Sequence, residues 1–317
     1  MLTPIRPRAP RPGFTLVELI VSLVIFALIG GAIVKTLSTG QRAYDAQVQH
    51  IDMQQNVRLA AGILPNELRE LDASDGDIQA MGGDSLQIRS MRQMGIVCSL
   101  PVLGGVLNAN VLGAVTFAVR DTLQSIRYFA QTDSILVYYE GNASSRADDS
   151  WVVGALTTNP GAGALTNCTD GSKYANGNTK QGRLFTANLY FDQTLTPIQV
   201  NAAGNIPLGA PIRAYQTVKF KRVQVSGKWY VGYDSAGTVQ PIIGPLTDSL
   251  GLKFEYYDSL FVRLNPPFDA ATRRKVARIS IPLVLRTNAA LRKNVGSPAA
   301  DTARVTLEIS LRNNRRF

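Results

Sequence analysis

The sequence predicts an α+β protein, with one long N-terminal helix packed on an antiparallel β-sheet head. Three observations carry this expectation. Residues Gly13 to Val34 (GFTLVELIVSLVIFALIGGAIV) form an apolar run that a single charge, Glu18, interrupts. Apolar residues then recur every three or four positions as far as Leu71. Farther along, the chain changes to short β-rich runs bounded by turn residues. These changes divide the 317 residues into a leader at 1–13, a membrane-length helix at 14–34, an amphipathic continuation at 35–73 and a β-rich head at 74–317.

The leader, Met1 to Pro12, carries Arg6, Arg8 and Arg11 and no acid. A helix over Phe14 to Val34 would span roughly 31 Å, the thickness of a hydrocarbon core. The leader arginines place the N-terminal side in the cytoplasm and the bulk of the chain outside. A cleaved secretory protein is the second reading, with Gly30 and Ala32 as the small residues of a cleavage site. The apolar run is longer than the roughly 7–15 residues of such signals.

Glu18 is the anomaly of this segment. A carboxylate at the centre of a membrane helix costs about 2.5–3.5 kcal/mol on insertion scales, and such residues are functional by default. Near a helix N-terminus the cost falls, because that end carries partial positive charge. A cut between Gly13 and Phe14 would create an amine on Phe14, one helical turn from Glu18, able to pair with Glu18 of the same chain or of a neighbour. The plainer alternative is an acid at the membrane interface, tolerated by snorkelling or protonation.

The string Arg11-Pro12-Gly13-Phe14-Thr15-Leu16-Val17-Glu18-Leu19 resembles the cleavage and N-methylation motif of type IV prepilins and type II secretion pseudopilins, the class III signal peptide. The match consists of a short basic leader, Gly13 before the cut, Phe14 as the new N-terminus, Glu18 as the fifth mature residue, and the apolar run after it. The resemblance implies a type IV pilin-like fold and a prepilin peptidase that removes Met1 to Gly13 and methylates Phe14. It also implies filament assembly through packed N-terminal helices, with Glu18 meeting a neighbour's N-terminus. Many pilins have a proline in the second half of the membrane segment; none lies between Phe14 and Leu64 here.

In the continuation, Tyr44, Val48, Ile51, Val57, Ala61, Leu64, Leu68 and Leu71 form the expected core-facing stripe, with Gln41, Gln47, Gln49, Gln54 and Gln55 mostly elsewhere. Gly62 and Pro65 predict a kink or break near Leu64, and the helix is expected to end by Asp72 to Ser74. Gly30-Gly31 and Gly40 are weaker points of bending. In the head, strands are expected at Leu86–Met91, Ile126–Gln131, Ile135–Glu140, Val218–Val225, Lys228–Asp234, Leu252–Tyr257, Arg278–Arg286 and Arg304–Arg312. Thr132-Asp133-Ser134 and Ser226-Gly227 read as hairpin turns. Thr157–Gly182 reads as a long surface loop and Asn288–Ala303 as a long connection.

The C-terminal third carries a second resemblance. PLTDSLGLKFEYY (Pro245–Tyr257), VARISIPLVLR (Val276–Arg286) and VTLEISLRN (Val305–Asn313) are similar in order and spacing to the closing strands of large minor pilins and J-type minor pseudopilins. Removing 13 residues from 317 leaves 304, about twice the usual size of a major pilin, which points to a minor subunit.

Cys98 and Cys168 are the two cysteines, both beyond the membrane segment. Outside an inner membrane they suggest one disulfide; the alternative is two separate thiols, with Cys98 in the apolar run GIVCSL as a core residue. Removing the three leader arginines lowers the net charge from +10 to +7. That surplus includes Lys219, Lys221, Arg222, Lys228, Arg273, Arg274, Lys275, Arg278, Arg312, Arg315 and Arg316, which read as a solvated face or as a surface for DNA or anionic lipid.

The chemistry of catalysis is missing. The sole histidine, His50, lies among glutamines and reads as solvated or filament-facing. Asp72, Asp75, Asp77 and Asp84 offer oxygen ligands, but DASDGD lacks EF-hand spacing and reads as a helix-ending turn, with a bound cation as the alternative. No phosphate loop, nucleophile motif or cofactor site is legible. The leading expectation is a structural subunit, a minor pilin or pseudopilin that starts or caps a type IV pilus or type II secretion pseudopilus. It would reside in the inner membrane with the head outside, then enter the filament. Its partners would be the prepilin peptidase, the membrane and other pilins. A tip-displayed adhesin or DNA-capturing subunit is the alternative, and an uncleaved single-span anchor the third reading.

Overall fold

The computed structural model describes residues 13–99, 102–103, 111–120, 129, 133–140, 144, 149–157, 165–168, 181–191, 206–289 and 300–312. The leader before Gly13, the Ile126–Gln131 strand apart from Phe129, the 132–134 turn apart from Asp133 and Ser134, Arg315 and Arg316 lie outside them. So does most of the expected Thr157–Gly182 loop and of the Asn288–Ala303 connection. The architecture is a long N-terminal helix followed by a large antiparallel β-sheet head, the α+β, type IV pilin-like arrangement.

Helix α1 runs over Leu16–Leu68, 53 residues or about 80 Å. It passes through Gly62 and Pro65, so the expected break near Leu64 does not occur. Proline removes only the hydrogen bond that its own N–H would give to Ala61, and Ala61 is exposed, so water can satisfy that carbonyl. The Arg69 N–H closes the last turn on the Pro65 carbonyl at 2.9 Å. The chain then turns on Asp72, whose Oδ1 accepts from the Ser74 and Asp75 N–H groups at 3.0 and 3.2 Å, an Asx-type turn in competition with helix.

The head contains β1 (Ile78–Met81), β2 (Ser85–Val97), β3 (Val102–Leu103), β4 (Val111–Arg120), β5 (Ser134–Tyr139), β6 (Ser150–Leu156), β7 (Leu165–Asn167) and β8 (Gln181–Phe191). It continues with β9 (Pro211–Val225), β10 (Lys228–Ser235), β11 (Thr238–Leu246), β12 (Glu255–Tyr257), β13 (Arg263–Leu264), the short helix α2 (Ala270–Arg274), β14 (Arg278–Arg286) and β15 (Thr302–Ser310). All pairings among the described residues are antiparallel.

Two cores organise this sheet. In the first, Met53, Ala60, Leu64, Leu68 and Leu71 from the α1 side meet Leu86, Ile88, Val218, Phe220, Ile243, Ile281 and Leu283. The second is the interior of a closed barrel. Its strands pair in the ring β2–β4–β8–β6–β5–β9 and back to β2. Alternate residues point inward, Val115, Phe117 and Val119 on β4 and Phe185, Ala187 and Leu189 on β8, as closure of a pleated sheet requires. Strands β2 and β9 belong to both cores: Ile88 and Val218 pack on the α1 side, Val97 and Ile212 in the barrel.

The helix stripe is partly rephased. Val57, Leu64, Leu68 and Leu71 face the core or its edge as expected, but Tyr44 and Ile51 are 66% and 52% exposed and Ala61 is exposed too. The buried set instead runs upstream to Met53, which lies about 200° around the helix from Ile51. His50, expected to be solvated or filament-facing, keeps 43% of its side chain exposed while its Nε2 sits 3.3 Å from Asp301 Oδ2 of the head. Gln49 Oε1 likewise accepts from the Ala289 N–H at 2.8 Å.

The Ser226-Gly227 hairpin is present, with both residues at positive φ (48° and 76°) and Val225 opposite Lys228. A second one of the same kind, at Ala236-Gly237, joins β10 to β11. The Thr157–Gly182 stretch is not wholly loop, since β7 pairs there with β8. The expected Leu252–Tyr257 strand is shorter, only Glu255–Tyr257. Cys98 and Cys168 are bonded, with Cα atoms 4.9 Å apart, joining the end of β2 to the residue after β7. Gly182 leaves the room they need: a Cβ there would lie 2.6 Å from Cys98 Sγ.

A loop of 70 residues closed by this bridge should stabilise the barrel by about 4 kcal/mol in the chain-entropy model. The C98S/C168S double variant should therefore unfold at lower denaturant than the oxidised wild type, and the difference should vanish when both are reduced. A reduced wild type as stable as the oxidised one would show that the bridge contributes nothing.

Candidate functional site

The site begins at the start of α1. Thr15 is the N-cap, extended at φ −75° and ψ 150°. Its Oγ1 accepts from the Glu18 N–H at 3.3 Å, and Glu18 Oε2 accepts from the Thr15 N–H at 3.4 Å, which completes a capping box. The Thr-x-x-Glu spacing of this box is present in the sequence, where the charge of Glu18 draws notice and its capping partner does not. The cap contributes in two ways. It satisfies two backbone donors at the helix end, and it places a carboxylate where the helix dipole favours it by about 0.3–1 kcal/mol. That offsets part of the cost of an acid in an apolar segment. A carboxylate offers about four acceptor positions, so room remains for an incoming amine.

Gly13 and Phe14 precede the cap in non-helical backbone, and Phe14 is 84% exposed. From Phe14 to Val34 every residue is exposed. The N-terminal part of α1 is long and apolar enough to cross a membrane. Each uncovered Leu, Ile, Val or Phe forgoes about 1.5–3 kcal/mol of burial, so this half requires lipid or other helices around it.

Three of the basic side chains have acidic partners. Lys221 Nζ lies 2.7 Å from Asp234, Arg222 Nη2 2.7 Å from Asp84 and Arg278 Nη2 2.7 Å from Glu308. Lys228 Nζ donates to Asn288. Pairs of this kind stabilise by about 0–1 kcal/mol and lower the local positive field around these three side chains.

The acidic string at the end of α1 builds the joint between the two cores. Asp77, on the α1 side, lies 3.6 Å from Arg213 Nη1 of the barrel strand β9. The Arg213 guanidinium stacks 4.1 Å from the Trp151 ring centroid, and the Trp151 indole N–H donates to Asp75 Oδ2 at 2.6 Å. Asp77 Oδ2 also accepts from the Asp72 N–H at 2.9 Å. Burial pushes Asp77 up from the usual carboxylate range despite the attraction of Arg213. Burial, with Asp72 nearby, also pushes Asp75 up to about 6, against Arg213 and the Trp151 hydrogen bond. These carboxylates are thus engaged within the fold. Among the described residues no group of three or more His, Cys, Asp or Glu is placed to hold a metal ion.

Asp75 binds its proton more tightly folded than unfolded. Its stabilising contribution is complete at low pH and is lost as pH rises from about 4 through about 6. D75N keeps an acceptor for Trp151 and removes the titration. It should match wild type near pH 4 and exceed it at pH 7 by about 1–2 kcal/mol, allowing for partial exposure. Urea midpoints across this range check it; parallel pH profiles for the two proteins would refute it.

A family model described as the prokaryotic N-terminal methylation motif matches residues 8–34. It spans the junction Gly13-Phe14, the capping box and the apolar start of α1 as far as Val34. No curated protein and no solved structure matches the chain. The motif supports a pilin- or pseudopilin-like protein, processed by a prepilin peptidase and assembled with other pilins. The apolar start of α1 and this motif are consistent with membrane anchoring and a place in a pilus.

Proposed function

We propose that this chain is a minor pilin or pseudopilin that helps to initiate or cap a type IV pilus or a type II secretion pseudopilus. The observation that carries the proposal is the uncovered apolar half of α1, opened by a Glu18 capping box directly behind Gly13-Phe14. Residues 1–13 are the leader, 14–34 the membrane and filament-core helix, 35–73 its amphipathic continuation and 74–317 the head outside. Phe14 becomes the methylated N-terminus, and Glu18 receives a neighbour's amine while α1 leaves lipid for the filament.

The barrel supports a minor role. Trp151 and Arg213 hold it against the turn after Leu68, at the end of α1 opposite the apolar half. A bulky lobe there occupies space that a stacked subunit above would need, and a terminal position removes that conflict. The same placement favours a second reading, a tip-displayed binding subunit with the barrel outermost.

In cells that assemble the filament, G13V should leave the 317-residue precursor uncut, while wild type yields a mature chain beginning with methylated Phe14 by mass spectrometry. E18A should be cut yet recovered in sheared filaments several-fold less than wild type. Normal incorporation of E18A would defeat the pairing role of Glu18, and an uncut wild type would leave only a membrane anchor.

A further inference from the structure

The loop between β12 and β13 presents three consecutive apolar side chains to solvent: Leu260, Phe261 and Val262, at 80%, 68% and 57% exposure. Local order holds them there. Asp258 Oδ1 accepts from the Leu260 and Val262 N–H groups at 2.9 and 2.8 Å, and its backbone exchanges hydrogen bonds with Phe261 and Val262. Phe261 sits at φ 62°, a left-handed conformation that a bulky residue rarely adopts. Its ring lies under the Arg278 guanidinium, 5.5 Å from the centroid, and Glu308 fixes that guanidinium. A backbone held against its preference in order to expose a phenylalanine is an unusual use of stabilising contacts.

Charge identifies what such a wedge fits. From Lys253 to Arg278 there are six cations and three acids; Lys253 and Arg263 share Glu255 and Arg278 pairs with Glu308, which leaves Arg273, Arg274 and Lys275 against Asp258 and Asp269. Exposed Arg69, Lys275 and Arg312 lie around the loop or the adjoining strand ends, and Arg263 beside it is paired with Glu255. The Leu311 N–H to Ala277 and Arg312 N–H to Arg69 hydrogen bonds, at 2.9 and 2.8 Å, bring these segments together. We propose that this loop inserts Leu260, Phe261 and Val262 into an anionic lipid bilayer while the surrounding cations meet its headgroups. A single-stranded nucleic acid fits less well: two of the three side chains have no π-face, and one face of Phe261 is already taken by Arg278.

The bilayer is not the one that holds α1. The loop adjoins Arg69, and the stretch of α1 from Val34 to Leu68 covers about 50 Å, several Debye lengths from the anchoring membrane. The proposal rests on the reading of Phe14–Val34 as the membrane-seated half, so the test monitors that seating separately.

The full chain is placed in pure phosphatidylcholine nanodiscs, with insertion of α1 measured by co-elution. The discs are then mixed with fluorescent vesicles of phosphatidylglycerol and phosphatidylcholine, or of phosphatidylcholine alone. Discs carrying the chain should float with the anionic vesicles at least ten-fold more than with the neutral ones, and less at high salt. The L260S/F261S/V262S variant, whose changes lie on the surface, should insert and unfold like wild type yet lose at least ten-fold of this capture. F261W should gain tryptophan quenching by brominated phosphatidylglycerol. Equal capture by neutral vesicles, or full capture by the triple variant, would overturn the proposal even with α1 inserted. So would loop-dependent self-association without vesicle capture, which would assign the loop to a second copy.

Discussion

Helix α1 must satisfy two surroundings with one uninterrupted backbone. From Met53 to Leu68 its buried face fills a core, with Ala60, Leu64 and Leu68 wholly out of solvent. From Phe14 to Val34 nothing among the described residues covers it. Hydrogen bonding from Leu16 to Leu68 transmits the orientation of one half to the other, so the position of the head follows from the seating of the apolar half. Pro65 is compatible with this because the bond it removes faces solvent in the last turn. A proline in place of Leu64 would instead free the carbonyl of Ala60, which is wholly buried, and leave it unsatisfied.

The head extends this rigidity instead of hanging from it. Strands β2 and β9, of 13 and 15 residues, run from the α1 core into the barrel, so the two lobes share backbone ladders. Where they meet, Asp75 and Asp77 on the helix side grip Trp151 and Arg213 on the barrel side. Ionised groups are costly to bury, and here each has a partner across the joint, so relative movement of the lobes would strand a charge. Cations farther out on β9 are matched by Asp234 and Asp84, which leaves the surplus charge concentrated near the C-terminal strands. In the proposed filament role, the apolar half serves assembly and the opposite end of the molecule is free for contact.

Much of the first core was legible because its signals are local. The hairpin at Ser226-Gly227 needs two residues at positive φ, and β14 matches its expected bounds of Arg278–Arg286 because alternation and flanking residues agree. Other elements were hidden for physical reasons. Strand β11 contains Pro241 and Pro245, which argue against a strand unless pairing is irregular, as it is beside Val231. Strand β8 begins within a Gly/Asn/Thr-rich stretch, and Gly182 is required there by the disulfide, not by a turn. The helix stripe was misphased before Met53 because Tyr44, Val48 and Ile51 also repeat at helical spacing. A periodicity reports that a face is apolar and says nothing about which partner covers it.

By itself the sequence determined the N-terminal part of the molecule: a basic N-terminal segment, the Gly13-Phe14 motif, Glu18 and an apolar helix of membrane length. It also determined that the rest of the chain is rich in β-strand. These depend on composition, charge and short-range spacing, which need no folded context. Only the tertiary structure decided that the head closes a barrel, that His50 faces Asp301, that the aspartates lock two lobes together and that Phe261 is held outward. The barrel and the aspartate joint depend on strands far apart in the chain meeting in one register, and register is set by the whole sheet rather than by any segment of it.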